Sequence, residues 1–329
     1  MLVLTRSDLK RLVPMTAAIE LMKVAFTELS AGRAVLPLRT VLEIEPGVSS
    51  TLVMPAYLPS VGALGFKVIS IFTQNAQRGL PTGNAMVCML DAETGVPAAI
   101  LNGAFLTALR TGAVSGAATD LLARKEARAL TIIGAGAQGV TQALAVCAVR
   151  EINEVTVVYR SDASWSRFME SVGRDWPELS GKITGTTDVE AAVRGADVIC
   201  AATTSMTPVF DAAWVKPGTH INGVGSFTPE MQEIPAGTVA QARVIVDHRE
   251  FALAEGGDII IPLQAGMFGE DHIVAELGEL AVGSAIGRTG DDEITFFKSV
   301  GNAVQDMVVA KRAIDRAAEE GIGQEISLD

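Results

Sequence analysis

Residues Ala129–Gly139 read ALTIIGAGAQG and place a glycine-rich turn directly after a short apolar run. The run predicts a buried β-strand over 129–133, and the Ala-, Val- and Leu-rich stretch 140–149 predicts a helix after the turn. In this strand–turn–helix setting the pattern Gly134-x-Gly136-x-x-Gly139 is typical of a dinucleotide site. The first glycine permits the tight turn, the second leaves room for the pyrophosphate, and the third lets the helix pack close to the strand.

The end of the next strand, 155–159, bears on which dinucleotide binds. Folds that bind NAD usually carry Asp or Glu there, about 20 residues after the glycines, to hold the ribose hydroxyls. This chain continues with Arg160 and Ser161, which suit a 2′-phosphate, and then with Asp162, which suits a ribose. The alternative for Arg160 is an exposed loop arginine without a ligand. The segment favours NADP(H) as the cofactor, with NAD(H) as the alternative.

Composition limits the class of protein and its partners. Of the 329 residues, 49% are hydrophobic and 19% are charged, which is enough apolar material for two domains. The formal net charge of −12 argues against nucleic acid and anionic membranes as partners. The three cysteines and three histidines show no ligand spacing, so we expect no metal site. The chain has no membrane-length apolar run and no signal peptide pattern, so we expect a cytoplasmic protein.

Strand and helix patterns alternate between 129 and 300, which predicts an α/β fold with a doubly wound parallel sheet of the Rossmann type. The predicted strands of this domain are 129–133, 155–159, 183–186, 197–201, 219–224 and 243–247. We expect it to span residues 119–301 and to bind the dinucleotide.

The remainder of the chain predicts a smaller α+β domain, residues 1–118 with 302–329, for the substrate. A helical pattern over 8–31 has Ser7 as its N-cap, a second helix covers 105–123, and a last helix over 300–319 has an apolar face that returns to this domain. Between the first two helices, short strands broken by glycine and proline predict a mostly antiparallel sheet. These strands are 39–44, 51–56, 65–72, 84–90 and 97–101.

Basic and polar side chains in the smaller domain are candidates for holding a small carboxylate. Lys67 lies in GFKVISIF, a strand that is otherwise apolar on both faces, so its ammonium needs a buried partner or a ligand. Arg39 begins a strand and, with Lys67, offers a fork and a point charge to a carboxylate. Arg110 in the second helix and Thr82 in a loop complete the predicted substrate-binding set. Lys67 and Arg110 are the expected catalytic residues.

Each of these assignments has a structural alternative. The stem of Lys67 can lie along the surface with its ammonium in water, and Arg110 can be an ordinary helix-surface arginine. In the catalytic interpretation, burial lowers the pKa of Lys67 while a nearby carboxylate raises it, and the sequence leaves that competition open.

Seven short motifs occur in order over essentially the whole chain. They are Gly65-Phe66-Lys67, Gly79-Leu80-Pro81-Thr82, Leu109-Arg110-Thr111-Gly112-Ala113, Gly134-x-Gly136-x-Gln138, Gly218-Thr219-His220-Ile221-Asn222, Ala275-Glu276-Leu277-Gly278-Glu279, and Phe297-Lys298-Ser299-Val300-Gly301 with Gln305-Asp306. In these motifs the chain resembles the ornithine cyclodeaminase/μ-crystallin family, which includes ketimine reductases and an alanine dehydrogenase.

The resemblance implies a homodimer joined through the sheet of the smaller domain. It implies that Arg39, Lys67 and Arg110 hold the substrate carboxylate, and the segment 159–161 is similar to the Asn-Arg-Thr of NADPH-binding members. The glycine pattern and the resemblance together give the expected cofactor-binding residues, which are Arg110, Thr111, Gly134, Gly136, Ala137, Gln138, Gly139, Arg160, Ser161, Thr203, Val224, Gly225, Ser299 and Gly301.

Two positions depart from the family pattern. Cyclodeaminases carry an aspartate where this chain has Phe227, which can neither accept a proton nor pair with an ammonium, and the alanine dehydrogenase pattern has an arginine where this chain has Leu52. We therefore expect NAD(P)H-dependent reduction of a 2-imino carboxylate, cyclic like pyrroline-2-carboxylate or open-chain, to an L-amino acid. The alternatives are cyclodeamination of ornithine to proline and ammonia, an alanine-type amino-acid dehydrogenase, and an NADPH-binding protein of the μ-crystallin kind without catalysis.

Overall fold

The computed structural model describes residues 1–327, apart from the side chain of Ala76, and contains two compact units. The first comprises Met1–Arg110 and Asn302–Asp329, and the second comprises Thr111–Gly301. The boundary lies inside a long helix, ahead of the one expected at residue 118, and positions 328 and 329 lie outside the described residues. The assignment of substrate and dinucleotide binding to two separate domains stays a prediction.

The first unit is built around a seven-stranded sheet. Its strands are β1 (Leu2–Leu4), β2 (Thr40–Glu45), β3 (Ser49–Leu58), β4 (Ala63–Phe72), β5 (Gly83–Leu90), β6 (Pro97–Asn102) and β15 (Gln324–Glu325), in the order β15-β1-β6-β5-β4-β3-β2. Its helices are α1 (Arg6–Leu12), α2 (Met15–Ser30), the first half of α3 (Gly103–Leu122) and α11 (Ala303–Glu320), with short 3-10 turns at Pro59–Val61 and Thr73–Arg78. All neighbouring strands are antiparallel except β1 and β6, which confirms the mostly antiparallel sheet.

The helix predicted over 8–31 is two helices, and Ser7 is not an N-cap. Pro14 has no amide hydrogen and its ring excludes a helical carbonyl four residues earlier, so α1 ends at Leu12 and α2 begins after the proline. Thr5 caps α1: its hydroxyl accepts the amide of Asp8 (3.4 Å), and the Asp8 carboxylate accepts the amide of Thr5 (2.9 Å). The apolar pattern indicates a cap at Ser7, but the cap is Thr5, two residues earlier, paired with Asp8. Ser7 therefore lies inside the helix.

Helix α11 packs against α2, β3 and β4 of the same unit, which confirms that the last helix returns to the first part of the chain. A Cβ at Gly65 would lie 2.3 Å from the carbonyl oxygen of Cys88 on β5 and 3.0 Å from Met307 Sδ on α11, so glycine is needed here first for the pairing of β4 with β5. Lys67 lies on the same buried side of β4 as Gly65, since side chains alternate along a strand. Its direct neighbours in the sheet are Met54 and Val87, both uncharged.

The second unit contains an eight-stranded sheet in which every neighbouring pair is parallel, as expected for a doubly wound fold. Its strands are β7 (Ala129–Ile133), β8 (Glu154–Val158), β9 (Ile183–Thr186), β10 (Val198–Ala201), β11 (His220–Gly223), β12 (Arg243–Val246), β13 (Ile273–Glu276) and β14 (Thr295–Lys298), in the order β13-β12-β14-β11-β10-β7-β8-β9. Its helices are the second half of α3, α4 (Ala137–Val149), α5 (Asp162–Asp175), α6 (Val189–Gly195), α7 (Ala236–Gln241), α8 (Arg249–Glu255), α9 (Gly257–Gln264) and α10 (Leu277–Ala281), with 3-10 turns at Pro177–Lys182, Ala212–Trp214 and Glu270–His272.

All six predicted strands of this sheet are present, whereas β13 and β14 were not predicted. The strand order reverses between β7 and β10, since the chain builds outward from β7 through β8 and β9 and then returns to β10 on the other side. Ligands of doubly wound sheets bind outside the carboxyl ends of the strands at such a switch point. The glycine turn at Gly134 follows β7 at this edge.

One histidine lies in the centre of this sheet. His220 on β11 is fully buried, and burial, followed by the charge of Arg288, lowers its pKa to about 3. Its ring nitrogens lie 2.9 Å from Thr295 Oγ1 and 3.3 Å from Asn222 Oδ1. The imidazole is therefore neutral at physiological pH and holds strands together, which leaves it no acid–base role.

Within residues 1–327, no helix combines the length and the apolar character needed to cross a bilayer. In the same described range, no three His, Cys, Asp or Glu side chains come together as metal ligands, and the expectation of a metal-free protein stays a prediction.

Candidate active site

The turn after β7 has the geometry of a dinucleotide fingerprint. Gly134 has a φ of +118°, which residues with a Cβ rarely adopt, and a Cβ there would lie 2.6 Å from the carbonyl oxygen of Ala202. A Cβ at Gly139 would lie 2.3 Å from the carbonyl oxygen of Gly134, so glycine is needed for α4 to begin this close to β7. Gly136 is exposed and its Cβ position has nothing within 4 Å, so the space beside it is open to a ligand.

A cleft of about 560 Å³ lies beside this turn, which is a usual size for a small-molecule site. It includes the start of α4, where amides that have no partner within the helix favour a phosphate. The predicted cofactor residues that line it are Gly134, Gly136, Arg160, Ser161 and Thr203. The turn and the cleft therefore fit a dinucleotide.

Two arginines line the β8 side of the cleft. Arg160 follows the strand and Arg167 lies on α5, so a phosphate here meets two guanidinium groups. Ser161 is the N-cap of α5, its hydroxyl accepts the amide of Ser164 (3.3 Å), and both serines line the cleft. Asp162 is exposed, and no Asp or Glu is among the described residues that line the cleft.

A buried carboxylate holds the loops that follow β10 and β11. Glu233 accepts the amides of Thr203 (2.6 Å), Gly225 (2.7 Å) and Ser226 (2.9 Å). Burial and then the charge of Asp258 raise its pKa above the usual value, while the hydrogen bonds from Thr203 oppose that shift. Glu233 thereby fixes the position of Thr203 in the wall of the cleft through the backbone alone.

Two further acids act in the same way. Asp258 accepts the amides of Glu233 (2.6 Å) and Ile234 (2.9 Å) and pairs with the buried ammonium of Lys298 (2.8 Å). Asp247 accepts the hydroxyl of Ser299 (2.8 Å) and the amides of residues 300 (3.0 Å) and 301 (3.1 Å). In this arrangement the donors of Ser299 and Gly301 bind Asp247, and the cofactor role of these two residues stays a prediction.

In the first unit, three charged side chains meet out of contact with solvent. The ammonium of Lys67 on β4 lies 2.7 Å from one carboxylate oxygen of Asp306 on α11, and Nε of Arg110 on α3 lies 3.3 Å from the other. The exposed fractions are 1% for Lys67, 6% for Arg110 and 0% for Asp306. Gln305 accepts a further bond from Arg110 Nη1, while its own Nε2 is buried and donates to nothing within residues 1–327. We call these four residues, together with Arg39, the Lys67 cluster.

The sequence left open whether burial or a nearby carboxylate has the larger effect on the pKa of Lys67, and in the Lys67 cluster burial has the larger effect. Burial, followed by the charge of Arg110, lowers the pKa of Lys67 to about 7, with Asp306 acting in the opposite direction and Arg39 adding to the decrease. The lysine is therefore poised to gain or lose a proton near neutral pH, which suits a general acid or base.

The other predicted residues lie elsewhere in the two units. Thr82 is exposed ahead of β5, where its carbonyl accepts the amide of Phe72 (2.8 Å). Thr111 is buried in α3 and its carbonyl accepts Nε2 of Gln142 (3.0 Å). Val224 follows β11 and donates its amide to Ala201 (3.0 Å). Ala137 and Gln138 form the first turn of α4. Their roles in binding stay predictions.

Sequence reasoning assigned no role to Asp306, Glu233 or Arg167. Asp306 belongs to a motif that was noted, and its position in the first turn of a buried apolar helix was the available signal. Arg167 lies one helical turn beyond the capping serines, which places it on the side of the helix start. Glu233 had no local signal, since its partners are backbone amides, which leave no mark on the pattern of side chains.

A model of the ornithine cyclodeaminase/mu-crystallin family matches residues 1–321. This chain belongs to the ornithine cyclodeaminase/mu-crystallin family. Its relatives include the Delta(1)-pyrroline-2-carboxylate reductase of Bacillus cereus, which is 41% identical over 330 residues and is matched over 100% of both chains. The resemblance drawn from the seven motifs is confirmed.

Solved structures of family members have the same fold. The Delta(1)-pyrroline-2-carboxylate reductase of Thermococcus litoralis, in complex with NADH and L-proline, matches with a TM-score of 0.94 and 41% identity over 99% of this chain and 100% of that one. An archaeal alanine dehydrogenase dimer with bound NAD matches with a TM-score of 0.91 and 32% identity over 100% of this chain and 99% of that one. The prediction of a Rossmann-type α/β protein is confirmed.

We expect alanine at Gly136 and at Gly139 to have opposite effects. Gly136→Ala places a methyl group in the open space beside the turn, so it weakens dinucleotide binding about tenfold, or about 1.4 kcal/mol, without lowering the unfolding temperature. Gly139→Ala forces a Cβ against the carbonyl of Gly134 and lowers the free energy of unfolding by about 1–3 kcal/mol.

Dinucleotide titration followed by intrinsic fluorescence, and thermal unfolding, measure the two effects. Gly173→Ala is the matched control, because its Cβ position is also open but lies in the body of α5. Unchanged dinucleotide affinity in Gly136→Ala would contradict the assignment of this turn.

Proposed function

We propose that this chain reduces a 2-imino carboxylate to the corresponding L-amino acid with hydride from a nicotinamide dinucleotide. The observation that carries the proposal is the Lys67 cluster, in which buried cations outnumber the single buried carboxylate. Such a site attracts a small anion and contains a lysine that exchanges protons near pH 7. The similarity to a reductase whose structure holds NADH and L-proline supports the same chemistry.

The residues of this chain divide the work as follows. Arg110 and Arg39 bind the carboxylate, because a guanidinium offers paired donors in a planar fork. Lys67 holds the proton that the nitrogen takes as the C=N bond is reduced. Asp306 keeps the ammonium of Lys67 at a fixed place, 2.7 Å from its own carboxylate. A nicotinamide dinucleotide, when bound, supplies the hydride, and positioning provides most of the remaining rate enhancement.

Phe227 favours imine reduction over cyclodeamination of ornithine. It is half-buried in the loop after β11, next to Ser226, whose amide Glu233 binds. A phenyl ring offers no base to the second amine of ornithine. Leu52 is buried in β3, so the arginine of the alanine dehydrogenase pattern is absent at that position. Reduction of an imine that already exists is therefore the reaction that needs the fewest protein groups.

The test is a screen that follows loss of the reduced nicotinamide absorbance. Its substrates are five- and six-membered cyclic imines with a 2-carboxylate, 2-oxo acids with ammonia or methylamine, and dicarboxylic imines. Release of ammonia from ornithine without net cofactor oxidation would instead identify a cyclodeaminase. Tight dinucleotide binding with no turnover of any substrate would identify a binding protein.

Lys67→Met is expected to lower kcat/KM for the best imine by about 10²- to 10⁴-fold, the usual contribution of a positioned general acid. Dinucleotide affinity stays unchanged, because the cleft residues belong to the second unit. Steady-state kinetics and dinucleotide titration measure both quantities. Lys311→Met, also in the first unit and partly exposed beside Asp315, is the matched control and retains full activity. Normal turnover by Lys67→Met would show that the acid is another group.

We also propose that NADP(H) is preferred over NAD(H). The support is the arrangement of Arg160, Ser161, Ser164 and Arg167 along one side of the cleft, without an acidic side chain among the lining residues described. These groups complement a 2′-phosphate, whereas an acid would repel it.

Arg160→Asp is expected to lower the ratio of kcat/KM for NADPH to kcat/KM for NADH by at least about tenfold. The substitution replaces a guanidinium group that donates hydrogen bonds to the 2′-phosphate by a carboxylate that repels it. The ratio is measured with one imine at saturating concentration. Arg174→Asp makes the same change of charge in the last turn of α5 and serves as the control. An unchanged ratio in Arg160→Asp would remove the reason for choosing NADP(H).

We further propose that the chain forms a homodimer through the β2 edge of its sheet. All six residues of β2 are exposed, and Val41, Leu42 and Ile44 are between 53% and 62% exposed. An open apolar edge strand invites pairing with another chain, and a related alanine dehydrogenase is a dimer.

Leu42→Glu is expected to convert a dimer into a monomer in light scattering after size-exclusion chromatography, because a buried unpaired carboxylate opposes the interface. Val24→Glu, on an exposed position of α2, leaves the dimer intact. A wild-type chain that elutes as a monomer at micromolar concentration would refute the interface.

A further inference from the structure

The Lys67 cluster has an imbalance of charge that a bound substrate would correct. When Lys67 is protonated, its ammonium and the guanidinium group of Arg110 share the carboxylate of Asp306, and the charge of Arg39 also acts on Lys67. Lys67 and Asp306 are almost completely buried, so water screens these charges poorly. When Lys67 is deprotonated, the carboxylate of Asp306 and the guanidinium group of Arg110 balance each other.

Lys67 is the member of the cluster suited to change its charge. Guanidinium groups stay protonated at physiological pH, and Asp306 accepts hydrogen bonds from both of its basic neighbours. The groups that face Lys67 are Asp306 from α11, Arg110 from α3 and Arg39 from the segment before β2, while β3 and β5 contribute the uncharged Met54 and Val87.

We propose that binding of the substrate carboxylate drives a proton from solvent onto Lys67, so that the site acquires its acid only when a substrate is present. This inference rests on the proposed function and deepens it. The incoming carboxylate supplies a second anion beside Asp306, which balances the charge of a protonated Lys67 next to Arg110. Asp306 is a positioning residue in this scheme, because it holds the ammonium but transfers no proton to the substrate.

The reaction step that follows balances in atoms and charge. The substrate nitrogen takes the proton of Lys67 Nζ, and the substrate carbon takes the hydride, so the C=N bond becomes CH–NH and the reduced dinucleotide is oxidised. Lys67 is then neutral. Departure of the amino acid removes the carboxylate and returns the cluster to its initial protonation.

The size of the effect follows from the position of the lysine near neutrality. The free site has a Lys67 pKa of about 7, and an opposite charge within about 4–6 Å raises a pKa by about 1–3 units. At pH 8 the free lysine is then about one-tenth protonated and the liganded one about nine-tenths, an uptake of about 0.8 proton per site. At pH 6 the free lysine is already mostly protonated, and the uptake falls to about 0.1 proton.

Isothermal titration calorimetry tests this directly. The protein, saturated with reduced dinucleotide, is titrated with pyrrole-2-carboxylate, a planar five-membered carboxylate without a reducible imine. Repeating the titration in phosphate and Tris buffers gives the protons taken up as the slope of the observed enthalpy against the ionisation enthalpy of the buffer. We expect about 0.8 at pH 8 and about 0.1 at pH 6. Pyrrole-2-carboxamide, the uncharged analogue, gives a slope of zero at both pH values.

Two variants separate proton uptake from a structural role. Lys67→Met still binds the carboxylate through Arg110 but shows no uptake at pH 8. Asp306→Asn removes the only anion of the free cluster, so the pH at which uptake is half-maximal falls by at least about one unit, and Asp306→Glu restores it. A purely structural Asp306 would change the unfolding temperature and leave that pH unmoved.

Where Asp306→Asn does not fold, the inhibition constant of pyrrole-2-carboxylate against the wild-type enzyme supplies the same information. It rises about fivefold between pH 7 and pH 8 and about fivefold again between pH 8 and pH 9, because binding then requires a proton that most free sites lack. Imine turnover combined with a calorimetric slope of zero at pH 8 overturns this inference and leaves the proposed function standing. Absence of both turnover and carboxylate binding overturns the two together.

Discussion

A carboxylate placed between two buried cations constrains the first unit more than any other contact, because none of these charges can be left alone in an apolar interior. Removal of one partner from such a group costs about 3–5 kcal/mol, since the remaining charge is buried without compensation. Lys67, Arg110 and Asp306 come from β4, α3 and α11, so their mutual distances tie three elements together.

The second unit uses buried acids for a different purpose. Glu233, Asp258 and Asp247 each accept backbone amides from loops that follow the parallel strands. These carboxylates hold the loops at fixed positions through hydrogen bonds from the backbone. The buried charges of the first unit surround Lys67, and those of the second hold the loop that contributes Thr203 to the wall of the cleft.

Much of the fold could be predicted from the sequence, because its strongest signals are local. The glycine turn, the strand before it and the alternation of strands and helices all depend on neighbouring residues. One failure was also local in origin, because Pro14 divides a continuous apolar pattern into two helices. The strands β13 and β14 were missed as well. Lys67 was recognisable because a lysine inside an apolar strand is anomalous.

What the sequence could not reveal were pairings over long separations. Asp306 lies 239 residues after Lys67, and no pattern in either segment states that the two meet. Burial lowers the pKa of Lys67 and the carboxylate of Asp306 raises it, and the balance depends on the distance between the two groups. That distance is set only when α11 packs on β4. Glu233 was missed for a different reason: its partners are main-chain amides, which leave no mark on the pattern of side chains.

Glu233 binds the backbone amides of Gly225 and Ser226. These hydrogen bonds do not involve the side chain of the next residue, Phe227. A substitution at position 227 leaves both of these hydrogen-bond donors in place, because they are backbone amides. The contacts that hold this loop are therefore separate from the side chain that the loop presents.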